Sequence, residues 1–204
     1  MNWIDEVQLR LKRKNHVLFA KDSEYLQDLI MLFQSQAHKT MILWALDFAA
    51  ESIVPLAEKY PNELRPKGAL EASKDWASGK IKMRFAQRKI LDCHAIGQAC
   101  AVVHTAGHAI GYPIYDLTSI IYKLGLENCV EAVERRKQEY IRRIGYWNVH
   151  AKEYLGEWAS FLKNNRCIFC VFSSLFGGSS CLGIICFGTA DTTTCGKLIL
   201  RYLL

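Results

Sequence analysis

From Trp3 to Leu162 the apolar residues recur at spacings of three and four, the period that lays one face of a helix against a core. Trp3, Ile4, Val7 and Leu11 predict a short first helix with a solvated basic end. Val17-Leu18-Phe19-Ala20 is a brief apolar link without an evident partner strand. Asp22 or Ser23 is placed to cap a second helix, to about Gln34, with Glu24 favourable in its first turn. In residues 39–59 a longer stripe follows, with Ile42, Ala45, Leu46, Ala49, Ile53, Leu56 and Ala57 on one face. Pro55 inside it predicts a kink or break near Ile53.

The strongest punctuation surrounds the next helix. Arg65-Pro66 opens it, because proline lacks an N–H and its fixed φ suits the first turn. Ala69, Ala72, Ser73 and Trp76 share a face, and Gly79 with Lys80 ends the element. Met83, Ala86, Ile90, Cys93 and Gly97 resume the helical period. Residues 95–111 then turn small, which predicts closely approaching backbones at the centre of a bundle. Tyr112-Pro113-Ile114 starts another helix, carrying Leu117, Ile120, Ile121 and Leu124 and closed by Gly125. Residues 127–143 form a charged helix, acids early and bases late. Gly145 separates it from a last helix over 149–162. The pattern predicts an all-α, single-domain bundle of about eight helices over residues 1–163, with no strand.

From Asn164 the period is lost. Residues 167–188 carry no charge, four cysteines and the pair Gly177-Gly178. The run is long enough, at about 1.5 Å per residue, for a bilayer core of about 30 Å. Its glycine pair and its β-branched and aromatic residues make it a poor spanning helix. Three readings stay open for this irregular apolar tail: a non-native end from a shifted reading frame or extended gene boundary, a membrane-associated segment, or a metal or disulfide cluster around Cys167, Cys170, Cys181 and Cys186. Membrane contact is expected only if the 167–188 segment is native.

Composition adds little beyond this. Half the 204 residues are hydrophobic and 23% are charged, as in an ordinary globular protein. The net charge is +6, of which residues 1–164 hold +4. That mildly favours an acidic partner and falls short of a nucleic-acid binder's concentrated patch. Met1 to Glu6 is polar and mixed and does not read as a signal peptide. Cys93, Cys100 and Cys129 lie in apolar settings, as reduced cysteines of a cytoplasmic protein do.

His94, His104 and His108 are the residues nearest to a reactive constellation. His94 and His108 would lie about 21 Å apart along one helix, too far to share a metal. His104 and His108, at i and i+4, could form a two-ligand clamp, but HTAGH lacks the glutamate of zinc proteases. The bland alternative is a set of neutral histidines hydrogen-bonded between tightly packed helices. Cys100, one turn from His104, sits among Ala99, Ala101 and Val102, where burial makes a thiol inert. No phosphate-cradling loop and no serine nucleophile elbow occurs. Arg135-Arg136-Lys137 and Arg142-Arg143 alternate with Glu131, Glu134 and Glu139, which reads as a solvated face with i,i+4 pairs.

Several words occur in a characteristic order: Trp44-Ala45-Leu46-Asp47, then Pro61-Asn62-Glu63-Leu64-Arg65-Pro66 with Ala69-Leu70-Glu71-Ala72, then Trp76-Ala77-Ser78-Gly79, His94-Ala95 and Ala106-Gly107-His108-Ala109. In these the chain resembles Imm family 5, immunity proteins of bacterial polymorphic toxin systems. The resemblance weakens after Gly125. It implies an all-helical domain that binds and neutralises a cognate protein toxin without catalysis or cofactor. It also places Asp47 and Arg65 in the family's motifs, which implies a salt bridge between them. The structural or partner-binding candidates are therefore Asp47, Arg65, Trp76, His94, His104 and His108. The competing expectation is a metal-dependent helical-bundle hydrolase using His104 and His108; a nucleic-acid regulator using the basic helix ranks third.

Overall fold

A computed structural model describes residues 2–90 and 95–163. Among them the chain forms nine α-helices and two 3-10 turns. The tail readings and His94 fall outside the described residues.

Helix α1 (Trp3–Lys12) starts where the Asn2 side chain accepts from the Ile4 N–H. The apolar link at 17–20 buries Leu18 and Phe19. Side chains rather than a strand satisfy its backbone: the Ala20 N–H donates to Glu6 at 2.8 Å and the Leu18 N–H to the Thr118 hydroxyl at 3.1 Å. Ser23 does not cap with its side chain; its hydroxyl donates to Glu6, and a 3-10 turn (Glu24–Leu26) precedes α2 (Gln27–Gln34).

Helix α3 (His38–Lys59) is the centre of the fold. Met41, Ile42, Trp44, Ala45, Phe48 and Ala49 are wholly buried, and α4, α6 and α8 pack around it. Of the kink or break expected near Ile53, no break occurs: α3 runs through Pro55 for one further turn. Proline removes one backbone donor there, and only the last turn lies beyond it. Helix α4 (Arg65–Ala77) begins at the Arg65-Pro66 signal. It ends in a Schellman motif: Gly79 takes φ 79°, the Gly79 N–H bonds the Trp76 carbonyl and the Lys80 N–H bonds that of Asp75. Helix α5 (Met83–Ile90) then packs on α4.

Helix α6 (Ala95–Ala101) lies against α3, α4 and α7, as the small-residue run predicts. A Cβ on Gly111 would come within 2.5 Å of the Gln98 side chain. Helix α6 does not extend through the histidines. It stops at Ala101, and a 3-10 turn (Ala106–His108) leads to α7 (Gly111–Leu124), which Gly125 closes at φ 74°. Helix α8 (Val130–His150) passes through Gly145, where the sequence predicts a boundary. Ile144 is buried and the Trp147 indole reaches Asp47, contacts that outweigh the roughly 1 kcal/mol cost of an internal glycine. The last helix is accordingly shorter than expected: residues 151–159 are irregular and α9 (Ser160–Lys163) is a single turn. The Ala159 N–H donates to the Ala77 carbonyl at 2.6 Å, which docks this segment on the end of α4.

Candidate functional site

Two polar assemblies join the helices. The larger is a charged seam between α3, α7 and α8. Arg136 of α8 donates to Asp116 of α7 at 2.6 Å, to Glu51 of α3 at 2.7 Å and to the Tyr112 hydroxyl at 3.1 Å. One helical repeat later, Arg143 binds Glu51, Glu139 and, at 3.4 Å, Asp47. Both guanidinium groups lie over the ring of Phe48, at 4.9 and 4.3 Å. Tyr140, fully buried, donates its hydroxyl to Asp116 at 2.6 Å.

The electrostatics follow from this geometry. Burial alone would lower the Arg136 guanidinium, yet Asp116 with Tyr112 and Tyr140 outweighs it and holds the group above its ordinary value. Burial alone would raise Glu51, yet hydrogen bonds and charge from Arg136 and Arg143 keep it below the ordinary carboxylate value. The seam is thus an ionised, mutually satisfied network that fixes the three helices in register. The basic run of α8 is partly a solvated face with local pairs, as with Arg135 and Glu131. Arg136, Lys137 and Arg143 instead turn inward, and Lys137 reaches the Tyr25 carbonyl at 2.6 Å.

The second assembly lies where the start of α3, the turn after α6 and the end of α4 meet. His38 Nε2 stands 2.6 Å from the Val102 carbonyl, so that nitrogen carries the proton. His108 Nδ1 is 3.1 Å from Gln98 Oε1. The Trp76 ring lies 5.6 Å from both His104 and Phe161. The structure therefore gathers Trp76, His104 and His108, with His38 and Gln98 added. Sequence reading missed His38, which sits sixty-four residues before its carbonyl partner and belongs to no motif.

The other candidates are placed apart. Asp47 and Arg65 do not form the expected bridge. Asp47 accepts from the Trp147 indole at 3.3 Å and faces Arg143, whereas Arg65 is clasped by Glu63 two residues earlier, at 2.7 Å from its Nε. Glu63 is fixed in the turn before α4 and meets Arg65 sooner than α3 can. His104 and His108 are not on one helix, so the helical i,i+4 clamp is absent. Among the described residues no three His, Cys, Asp or Glu side chains converge as a metal site. Cys100 and Cys129 are buried and unbridged.

Burial, followed by the neighbouring His104, lowers His108, with Lys21 adding to the effect. Burial also lowers His38 despite the bond to Val102. Well above the ordinary imidazole value both rings are neutral, folded or unfolded. As the pH falls below that value the unfolded chain takes up protons that the folded protein resists, and stability is lost. The urea midpoint should therefore fall between pH 7.5 and pH 5.5, and fall less in His108→Gln. An equal fall in both proteins would clear His108 of this role.

A family model described as "Imm-5 like putative immunity protein" matches the chain over residues 31–96 and 93–143. No curated protein and no solved structure matches it. The matched region runs from α2 to Arg143 and so contains α3, the whole of the charged seam and the histidine end. With more than half of its 204 residues covered, this chain belongs to the Imm-5 like immunity protein family.

Proposed function

We propose that this protein binds a cognate bacterial toxin in the cytoplasm and neutralises it by covering the toxin's active surface, with no reaction and no cofactor of its own. Membership of the immunity family carries the reading. The architecture supports it. Helices tied by the seam present a surface with little freedom to lose on association, which favours tight binding. Several side chains suited to chemistry serve the fold: His38 through its Nε2 and His108 through its Nδ1 in hydrogen bonds, Arg136 and Arg143 in ion pairs. Nothing in the placement of His104 and His108 favours the hydrolase reading.

The test is protection in cells. Proteins encoded by genes neighbouring this one are expressed in a bacterial host, alone and together with this chain. The reading expects one of them to arrest growth alone and growth to return when the chain is present. If the chain relieves none of the neighbour-encoded toxins, the reading fails.

A further inference from the structure

The chain's surplus of positive charge has one address. Residues 65–90 hold eight Lys+Arg against two Asp+Glu, a net +6 equal to that of the whole protein, so the remainder balances to zero. This stretch is α4, the Gly79 turn and α5. On α8, by contrast, every base of the run is matched. Arg135 meets Glu131, Arg136 meets Asp116 and Glu51, Lys137 meets Asp28, Arg142 meets Glu139, and Arg143 meets Glu51. On α4 and α5, Arg65 is held by Glu63 and Lys80 lies 3.7 Å from Asp75. The exposed Lys67, Lys74, Lys82 and Arg84 make no ion pair with any described residue. Beside Lys82 stand two large apolar side chains, Met83 at 41% and Phe85 at 48% exposed. The Arg84 guanidinium covers the Phe85 ring at 5.0 Å.

We infer that the corner formed by α4 and α5 is the docking surface for an acidic face of a partner protein. The inference rests on the toxin-binding reading and gives the toxin's contact surface a chemistry: carboxylates around an apolar spot. Unmatched cations steer such a surface into encounter and fix its register. Met, Phe and Arg are the residue types that fill the centre of protein interfaces. A nucleic acid would use the cations and leave Met83 idle, and Arg84 already covers the ring on which a base would stack. Ala86, wholly buried, turns toward the core, and on the described part of α5 the exposed Met83 and Phe85 stand among Lys82 and Arg84 rather than on a continuous apolar stripe of the kind that inserts into a membrane.

Two arms test this. In the first, binding of the full chain to the toxin found by cell protection is measured at rising salt, for wild type, Lys82→Glu/Arg84→Glu and Arg135→Glu. All three sites are exposed, and circular dichroism checks the fold. The double reversal should weaken binding by roughly tenfold or more and flatten the salt dependence, while Arg135→Glu stays near wild type. Wild-type affinity in the double reversal overturns the docking surface but not toxin binding. In the second arm, which needs no toxin, the chain is offered poly-L-glutamate, duplex DNA and phosphatidylserine vesicles. Binding to poly-L-glutamate that the double reversal abolishes supports the inference even if no toxin is relieved. Failure to bind it, or preference for DNA or vesicles, overturns the partner class.

Discussion

Replacing Arg136 by leucine will lower the free energy of unfolding by about 3 kcal/mol, a large share of the roughly 5–15 kcal/mol a domain possesses. The loss is expected less from the missing contacts than from what they leave behind. Asp116 would remain in the helix interface with its side chain 16% exposed, its guanidinium partner gone and, among the described residues, only the Tyr140 hydroxyl donating to it. A buried carboxylate without its countercharge costs more than the pair gains. Glu51 suffers less, since it is 41% exposed and keeps Arg143. Adding Asp116→Asn should therefore restore part of the stability, because the amide is neutral and still accepts from Tyr140. Urea unfolding of the two variants measures this. If the double variant is no more stable than Arg136→Leu, the stranded charge is not the cause.

Trp44→Ala will be at least as costly, at about 3–5 kcal/mol. Trp44 is wholly buried on α3, its ring centre 4.6 Å from Phe33 and 5.0 Å from Phe48, with Tyr112 and Tyr140 edge-on. Its indole N–H donates to the Tyr140 carbonyl at 3.1 Å. Alanine would leave a cavity between four rings that cannot collapse without moving α8, and the cost grows with the volume left open. Trp44→Phe keeps most of the volume and should cost well under half as much in the same urea titration. Similar losses for the two would place the stabilisation in the hydrogen bond instead of the packing.

Single residues with strong backbone rules carried the parts of this fold that the sequence made legible. Pro66 and Gly79 bound α4, Pro113 and Gly125 bound α7, and the small residues of α6 mark its close approach to α3. The glycine rule misled at Gly145, where α8 continues because the cost of one internal glycine is smaller than the packing on either side, and at Pro55 no break occurs because only a single turn lies beyond the proline. At 151–159 an apolar spacing suited to a helix yields an irregular segment, with Leu155 fully exposed.

The site was less legible than the scaffold, because its contacts are distant in sequence. Glu51 and Arg136 stand eighty-five residues apart, and Arg136 lies within one charged run beside Arg135 and Lys137. One signal was available: Arg136 and Arg143 are seven residues apart beside the buried stripe of Val133, Tyr140 and Ile144, and so share a helix face. The concentration of charge in residues 65–90 could also be counted from the sequence, but only the structure separates its unmatched cations from the neutralised ones on α8.

The most direct test of the central claim is a titration of toxin activity by the purified chain. A protein that works by covering an active surface must be present in stoichiometric amount. Inhibition should therefore rise linearly and reach completion near one equivalent, with full activity returning when the complex is dissociated. Inactivation by a small fraction of an equivalent, growing with time, would mean that the chain acts as a catalyst and would contradict the account.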